Sequence, residues 1–401
     1  MAEKCGASSF AALIGNNMPK LLFAPMATLS HEAMRRIIEH YSPCACDEYY
    51  TEMIQATTFI GGGKFEQFYV RPGPCPERVV WQLTCGKAEP MAEAAKIIAG
   101  LGGIGIDINM GCCAPEIVRQ GAGIAWMLKD RAETEELLRL VRKAVPENMR
   151  LSVKMRLGDE DYKLDELLSF ADMLAAQGVS QIVLHPRTRK AKFKRPPHWN
   201  DAQKLFEHLE KRYGNSIYRC INGDIVDFQS LCSVQKLVPL AEGFMIGRAA
   251  VQKPWLFGDL ARRLAQASAG QSAIEQLKAV GLAGSACLAA AQDGANAGAE
   301  ECADCSASGG AQSKIDSLEI VSMFIDNLVE CQPEEFWLSR AQRFFSYFCK
   351  NYSFANYLFT QVNNAKNLPG MKQAFEAYFE KMPTERFFVP QPILKSLSFH
   401  T

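Results

Sequence analysis

Eight short apolar segments alternate along this chain with stretches of amphipathic helical pattern, and this alternation limits the fold more than any other feature. Nearly all of the segments are continuously apolar, which is typical of strands in a parallel sheet covered by helices. Eight strand–helix units within about 250 residues predict a TIM (β/α)8 barrel. A doubly wound sheet is the competing α/β fold, but it rarely needs eight such regular units. The predicted strands span residues 20–27, 47–53, 79–85, 105–112, 150–158, 181–187, 216–223 and 243–249.

The pattern changes on either side of the predicted barrel, which gives four regions. Residues 1–19 form an N-terminal extension and residues 20–265 form the barrel. Residues 266–313 are rich in Ala, Gly and Ser, which favours an insertion or a loosely helical linker. Residues 314–401 show three helical patterns and then an extended tail, so a small C-terminal helical domain is expected.

Charge and cysteine content restrict the class of protein. Lys and Arg number 44, as do Asp and Glu, so the net charge is zero and any polyanion must be bound by local basic patches. The apolar run near the N-terminus is too short for a signal peptide, and no run approaches the length of a membrane span. The 14 cysteines are scattered, as in proteins of a reducing compartment. We therefore expect a cytoplasmic protein with no membrane segment.

Two motifs resemble known ligand sites but lack the required context. The segment GLGGIG at residues 100–105 fits the dinucleotide pattern G-x-G-x-x-G, yet it follows a predicted helix and precedes a strand. That order is the reverse of the one a dinucleotide fold requires, and glycines that end a helix explain it better. The segment CADC at residues 302–305 has no second pair of ligands at a suitable spacing. We expect no metal site.

Polar residues gather at the carboxyl ends of the predicted strands, where TIM barrels carry their active sites. Taken singly, each has a structural explanation, such as an ion pair for Lys154, a core position for His185 or a turn at Asn222. Together they would converge on one mouth, where unpartnered polar groups are costly unless a ligand with many hydrogen-bonding edges satisfies them. Glycine-bearing loops after strands seven and eight favour a phosphate group. The set therefore predicts a flavin mononucleotide (FMN).

The motifs at these strand ends resemble those of the tRNA-dihydrouridine synthase family. The resemblance covers about residues 20–262 and continues more weakly into the C-terminal helices. Its most specific parts are INMGC, the lysine strand VKMRLG and H-x-R-T. The other matching segments are APMA, YTEM, QL, NGDI and GRA followed by PWLF. Dihydroorotate dehydrogenases share the predicted architecture but not this set of motifs.

The resemblance implies that Cys112 is the general acid. In the family, reduced FMN gives a hydride to C6 of a uracil and the cysteine protonates C5. A free thiol with a pKa near ~8.5 is mostly protonated at neutral pH, as a proton donor requires. Cys113 stands where the family motif has proline, and adjacent residues tend to point in different directions, so it is expected to be a bystander. A disulfide between the two cysteines, or an exchange of their roles, stays open.

The resemblance also implies a cofactor site and a reductant. The backbone of the first strand end packs on the flavin, a glutamine, a lysine and a histidine contact its ring, and the last two strand ends surround its phosphate. NADPH is the expected reductant of the flavin, with no separate nicotinamide domain. The implied FMN residues are Pro25, Met26, Ala27, Gln82, Lys154, His185, Asn222, Gly223, Asp224, Gly247 and Arg248, and Asn109 is expected to position the uracil or the flavin.

A basic loop follows the sixth predicted strand and predicts contacts to a tRNA backbone. Residues 185–199 carry six Arg and Lys side chains and no acid, although a solvated loop is the simpler alternative. The family's C-terminal domain holds tRNA, and here its helices carry Arg340, Arg343 and Lys350 among aromatic residues. We expect a monomer whose partner is tRNA. The six loop residues are Arg187, Arg189, Lys190, Lys192, Lys194 and Arg195.

Two alternative functions stay open at this point. One is an FMN-dependent reductase of a small pyrimidine-like molecule, against which the basic loop and the helical appendage argue. The other is a catalytically degraded RNA-binding homologue, against which the intact Cys112, Lys154 and His185 argue. The sequence does not indicate which tRNA uridine is reduced.

Overall fold

The computed structural model describes residues 18–191, 195–279 and 314–388. Most of the predicted N-terminal extension, most of the Ala/Gly/Ser-rich segment and the end of the tail lie outside these ranges. The loop residues Lys192 and Lys194 and the CADC segment also lie outside them.

The predicted barrel is confirmed. Nine parallel strands form one sheet in the order β2-β1-β9-β8-β7-β6-β5-β4-β3, and β2 also pairs with β4, which closes the sheet on itself. Eight strands correspond to the eight predicted segments, and the short β3 is an addition beside β4. The strands are β1 (Lys20–Phe23), β2 (Glu48–Tyr50), β3 (Ile54–Gln55), β4 (Val79–Thr84), β5 (Gly105–Met110), β6 (Arg150–Met155), β7 (Gln181–Leu184), β8 (Tyr218–Asn222) and β9 (Gly243–Ile246).

Helices follow the strands and cover the outside of the barrel. The amphipathic α6 shows why they form, because Leu137, Leu138 and Val141 are buried on one face and Asp130 caps its first turn by accepting from the Ala132 amide. The barrel helices are α1 (Glu32–Tyr41), α2 (Ala56–Ile60), α3 (Ala88–Ala99), α4 (Pro115–Arg119), α5 (Ala125–Leu128), α6 (Arg131–Ala144), α7 (Leu164–Ala176), α8 (Trp199–Tyr213), α9 (Phe228–Leu237), α10 (Arg248–Gln252) and α11 (Leu256–Ala279).

Four further helices pack against one side of the barrel. Helix α12 lies against α1 and α13 lies against α10, so the helical region touches both the first and the last strand–helix unit. Its own core is aromatic, with Phe344 stacked on Phe324 and on Phe348. The region comprises α12 (Ser317–Cys331), α13 (Glu334–Phe348), α14 (Ala355–Asn364) and α15 (Leu368–Lys381), with a small antiparallel pair formed by β10 (Ile315–Asp316) and β11 (Phe387–Phe388).

One continuous set of buried apolar side chains runs from the barrel helices into the helical region. The two regions therefore share a core rather than meeting across a wet surface. Every helix within the described residues is too short or too polar to cross a bilayer.

Candidate active site

A cavity of about 630 Å³ opens at the carboxyl ends of the barrel strands. It falls within the size range of small-molecule and cofactor sites. The predicted general acid, the eleven predicted cofactor residues and Asn109 all line it. Several other lining residues were not predicted from the sequence to have a role there, among them Met53, Val226, Gln252 and Tyr347.

Cys112 is held through its backbone on both sides. Its amide donates to Asn109 Oδ1 at 2.9 Å, and its carbonyl accepts from the Ile124 amide at 2.9 Å. Gly123, with φ of +63°, lies so close that a Cβ atom there would be 2.5 Å from the Cys112 carbonyl oxygen. A glycine at position 123 is therefore required for the loop that carries the thiol.

The thiol of Cys112 is in the protonated form that an acid needs. Burial raises its pKa above the ordinary value, while Arg156 nearby acts in the opposite direction. Both Cys112 and Cys113 are free thiols. Both also line the cavity, which differs from the expectation that only one would face it. Strand β5 ends at Met110, so the alternation of side chains along a strand no longer applies at these positions.

A buried chain of hydrogen bonds leads from the barrel interior to Cys112. Asp107 Oδ1 accepts from Ser152 Oγ at 2.7 Å, and Asp107 Oδ2 accepts from Gln82 Nε2 at 2.7 Å. Gln82 Oε1 then accepts from Asn109 Nδ2 at 2.9 Å, which leaves Asn109 Oδ1 for the Cys112 amide. Because a carboxylate only accepts, Asp107 fixes the orientation of both amide side chains.

Asp107 was not predicted from the sequence, although a signal for it exists. It lies two residues before Asn109 in the strand GIDINM, so the two side chains share the inner face of the barrel. Burial raises the pKa of Asp107 to about 6, against the hydrogen bonds from Gln82 and Ser152, which lower it.

Lys154 brings a cation into the same cavity. Burial and the neighbouring Arg156 lower its pKa to about 8, although Asp107 acts in the opposite direction. An ammonium group in this setting is poorly compensated by the protein alone. It is therefore placed to stabilise negative charge on a bound molecule.

His185 lies at the end of β7, and its protonation state follows from its neighbours. Burial, together with Lys154 and Arg156, lowers the pKa of His185 well below the ordinary value, so the ring is neutral. Arg187 Nη1 is 3.0 Å from His185 Nε2. Since a guanidinium can only donate, Nε2 is the acceptor and the ring proton lies on Nδ1. His185 therefore carries its N–H on the nitrogen that Arg187 does not contact.

The loops after β8 and β9 supply two glycines and an arginine to the cavity. Gly223 has φ of +137°, and a Cβ atom there would be 3.4 Å from the His185 ring. Asn222 Nδ2 donates to the Met245 carbonyl at 2.7 Å, which ties the ends of β8 and β9 together. Arg248 lies 3.3 Å from Asp224 Oδ1. The backbone can therefore approach a ligand closely at this end of the cavity, beside a positive charge.

Comparison with known protein families agrees with the resemblance seen in the strand-end motifs. The dihydrouridine synthase (Dus) family matches residues 22–288 of this chain, which is about two thirds of its length. The chain belongs to the dihydrouridine synthase family.

Curated relatives of this family member match about half to three fifths of its length. A "Probable tRNA-dihydrouridine synthase 1" of Synechocystis sp. is 28% identical over 60% of this chain and 64% of its own length. A "Probable tRNA-dihydrouridine synthase" of Aquifex aeolicus is 29% identical over 59% of this chain and 71% of its own length. A "tRNA-dihydrouridine(16) synthase" of Pseudomonas syringae pv. tomato is 33% identical over 46% of this chain and 54% of its own length. The match thus spans between about half and about seven tenths of these relatives.

A solved structure also matches part of this chain, at a lower sequence identity than these relatives. The crystal structure of KGPDC from Streptococcus mutans shares 15% identity, covers 62% of this chain and 99% of that chain, and has a TM-score of 0.37. A similarity at this level does not indicate a function.

The basic loop of this family member differs from the sequence-based prediction. Arg187 is only 2% exposed and pairs with Asp224 at 2.5 Å, so it faces the interior and not a substrate surface. Arg189 pairs with Asp159 at 2.6 Å, and Arg195 lies 3.3 Å from Glu160. The acids come from the loop after β6, which the sequence alone did not place beside the basic loop. Lys190 is exposed, and Lys192 and Lys194 lie outside the described residues.

The same contacts change the interpretation of Asp224. Its carboxylate accepts from Arg187 and lies near Arg248, and its φ is +48°. Since it is anionic, the side chain repels a phosphate, so its part in an anion site is to hold the two arginines. The position lines the cavity as expected, while the side chain acts through its neighbours.

The helical region forms one wall of the cavity. Arg343, Tyr347 and Lys350 line it from α13 and the turn after it. The Arg343 guanidinium lies 5.3 Å from the Tyr347 ring centroid, and the Lys350 ammonium lies 5.1 Å from the same centroid. Arg340, one turn earlier, is instead buried and paired with Glu52 at 2.5 Å. Among the residues that the structure describes, no group of His, Cys, Asp or Glu is arranged to hold a metal ion.

Proposed function

We propose that this protein reduces a uridine in tRNA to 5,6-dihydrouridine with FMN as cofactor and NADPH as the source of electrons. The overall change adds one hydride at C6 and one proton at C5, and it consumes one NADPH and one proton. In this proposal residues 20–265 are the catalytic barrel, residues 266–313 are an insertion or a linker, and residues 314–401 hold tRNA.

The observation that carries the proposal is the placement of a protonated thiol, Cys112, in the same cavity as Lys154 and His185. In this proposal the hydride donor and the proton donor approach the uracil from opposite faces. The thiol lies on the loop after β5, and the glycine-bearing loops after β8 and β9 lie across the mouth from it. This separation leaves room for a planar cofactor and a base between them.

The residues of the cavity fit FMN. Its phosphate suits the backbone amides near Gly223 and Gly247 and the charge of Arg248. Its ring system presents carbonyl oxygens and nitrogens that suit the donors Lys154 and His185 Nδ1–H. Bound flavin would supply the hydride. The apolar edge of the ring suits the turn at Pro25–Ala27, which lines the same cavity.

The chain's own residues account for the rest of the reaction. Cys112 donates its proton to C5, and Arg156 stabilises the resulting thiolate, since its charge lowers the pKa of the thiol. Asn109, oriented by Gln82 and Asp107, holds the Cys112 loop at a fixed distance. Lys154 would stabilise negative charge on the reduced form of a bound flavin. Solvent returns a proton to Cys112 after each turnover.

The helical wall supports a nucleic-acid substrate. Arg343 and Lys350 flank Tyr347 at the edge of the cavity, and a small molecule would not need these exposed cations. To reach C5 and C6, the base must leave the tRNA stack, at a cost of a few kcal/mol that contacts to the backbone can offset. Three of the relatives described above carry names that specify tRNA.

The test is incubation of the purified protein with unmodified tRNA and NADPH, with mass spectrometry to find a gain of two hydrogens on a uridine. The expected result is dihydrouridine at a defined position. If NADPH is consumed and FMN is bound but no uridine in tRNA is reduced, the proposal is wrong and a small pyrimidine becomes the substrate to test. Absence of both FMN binding and NADPH oxidation would instead indicate an RNA-binding protein without catalysis.

A further inference from the structure

A tight turn follows β1 and includes the predicted flavin contacts. The Met26 carbonyl accepts from the amides of Leu29 and Ser30, and the Ser30 hydroxyl accepts from the Met26 amide at 2.9 Å. Thr28 at its tip has φ of +64°, a left-handed conformation that is unfavourable for a β-branched residue. The turn therefore needs an anchor from outside its own sequence.

Glu52 provides that anchor. Its Oε1 accepts from the Thr28 amide. The side chain is only 4% exposed, and its other oxygen, Oε2, accepts from Arg340 Nη1 at 2.5 Å. Arg340 is 2% exposed and comes from α13 in the helical region, 288 residues along the chain from Glu52. A buried carboxylate with one of its two partners removed is strongly destabilised, so the position of Glu52 depends on Arg340.

The turn also contacts the neighbouring loop after β9, the strand that pairs with β1. A Cβ atom on Gly247 would be 3.0 Å from Met26 Sδ, so the Met26 side chain packs directly on the backbone after β9. A displacement of the turn would move Pro25–Ala27 and loosen the contact with Gly247. Both groups line the cavity.

We infer that Arg340 and Glu52 are positioning residues that set the shape of the cofactor site through the Thr28 amide. The barrel site is then complete only when the helical region is docked. The identity of the ligand as FMN rests on the proposed function above, whereas the coupling between Arg340 and the turn does not.

Other ion pairs that join the two regions provide the comparison. Lys64 pairs with Glu335 at 2.6 Å, and both side chains are more than half exposed. Arg36 pairs with Glu330 at 2.8 Å, and the glutamate is 61% exposed. The Glu52 pair differs in that it is buried and its carboxylate also holds the backbone of the turn. Because an exposed ion pair contributes little to stability, loss of Lys64 should leave both the docking and the turn unchanged.

The experiment compares Arg340→Met with the control Lys64→Met in the full-length protein. Hydrogen exchange followed by mass spectrometry reports protection of the amides in residues 24–30, and flavin fluorescence reports the Kd for FMN. We expect Arg340→Met to accelerate exchange in the turn and to raise the Kd for FMN about tenfold, which is about 1.4 kcal/mol. Lys64→Met should change neither quantity.

A second substitution distinguishes a positioning role of Arg340 from a role in which it only holds the two regions together. Glycine adopts φ near +64° without a steric penalty, so Thr28→Gly in the Arg340→Met background should lower the Kd for FMN again by at least about threefold. It should not restore the thermal stability lost with the ion pair. If Arg340→Met does not fold, Arg340→Lys keeps the charge but loses the guanidinium, and the same rescue is measured there.

The outcomes are distinct. If Arg340→Met lowers thermal stability but leaves exchange in the turn and FMN affinity unchanged, the inference is overturned. Arg340 would then only hold the two regions together. Failure of Thr28→Gly to recover FMN affinity would also contradict it. If the wild-type protein binds no FMN, the proposed function fails, and exchange in the turn alone decides the coupling.

Discussion

The cavity has two walls that are built in different ways. On the barrel side, Gln82, Asp107 and Asn109 are buried, and hydrogen bonds between their side chains fix each orientation. On the helical side, Arg343 and Lys350 are exposed and contact Tyr347 only by cation–π stacking. The side chains of the barrel wall are therefore held in one arrangement. Those of the helical wall can change rotamer at a small cost in free energy.

The difference matches two separate requirements of the proposed reaction. Proton transfer to carbon needs the donor held within a fraction of an ångström, which a buried network provides. Binding of a polyanion needs positive charge near the surface but tolerates movement, since phosphate contacts position a nucleic acid without reading it. We therefore expect substitutions in the barrel wall to act on kcat and substitutions in the helical wall to act on affinity.

The largest expected effect comes from Cys112→Ala. Loss of a general acid typically lowers the rate about 10²- to 10⁴-fold, and FMN binding should be retained. The matched control is Cys113→Ala on the same loop, which should keep activity within about threefold, a change of less than about 1 kcal/mol. Dihydrouridine formation from tRNA, followed by mass spectrometry, measures both. The opposite pattern would assign the acid to Cys113.

The next effect tests whether the buried network sets the geometry of the barrel wall. In Asp107→Asn the amide nitrogen replaces one of the two acceptor oxygens. The Ser152 hydroxyl can turn to accept from that nitrogen, but an amide that faces Gln82 Nε2 opposes one donor to another. An unpaired buried donor costs about 1–3 kcal/mol, so we expect kcat to fall about 10- to 100-fold.

The control for Asp107→Asn is Ser152→Ala, which removes one donor without reversing any hydrogen bond. Its kcat should fall by only about threefold, which is less than about 1 kcal/mol. A loss of stability in Asp107→Asn with kcat unchanged would show that the network is structural and would remove the contrast between the two walls.

Lys154 should make the stability of the flavin-free protein depend on pH. Its pKa is about 8 in the folded protein against an ordinary 10.5, so the folded state releases the proton first. The free energy of unfolding therefore rises with pH in this window, by about 2 kcal/mol between about pH 7.5 and about pH 9.5.

Urea unfolding of the wild type and of Lys154→Met measures this contribution as a difference, because groups away from Lys154 titrate equally in both proteins. The difference should grow in favour of the wild type as the pH is raised. An equal response of the two proteins would mean that the lysine is not desolvated by the cavity.

The smallest effect is expected from the helical wall. Arg343→Met together with Lys350→Met should weaken tRNA binding about fivefold and reduce the slope of log K against log salt by about 1 for each phosphate that the protein no longer neutralises. The exposed Lys366 lies outside the cavity lining, so Lys366→Met is the control. Filter binding at several salt concentrations measures the slopes. A fall in kcat with affinity unchanged would assign this wall to the chemistry.

Much of the fold and of the site could be predicted because local sequence controls both. Apolar strands followed by amphipathic helices specify a barrel, and a barrel places the carboxyl ends of its strands around one mouth. Lys154, His185 and Cys112 could be placed there from their positions in the strands alone. The motif GIDINM even carries the signal for Asp107, because residues 107 and 109 alternate onto the same face.

The ion-pair partners of the charged side chains could not be predicted from the sequence. Arg187 belongs to a basic loop and Arg340 to an aromatic-rich helix, and both are buried against carboxylates from distant parts of the chain. Asp159 and Glu160 neutralise Arg189 and Arg195 from a separate loop. The charge that a loop presents to a ligand depends on these neighbours, which its own sequence does not contain.

The sequence by itself determined the barrel and the residues at its mouth, because strand periodicity and the parallel order of strand–helix units are local properties. Only the tertiary structure decided how those residues are held. The tautomer of His185 depends on Arg187, the Cys112 loop depends on Asp107 through two amides, and the turn at Thr28 depends on a helix from the other end of the chain. Hydrogen bonds and buried ion pairs join groups by distance in space, and that distance is set only when the chain has folded.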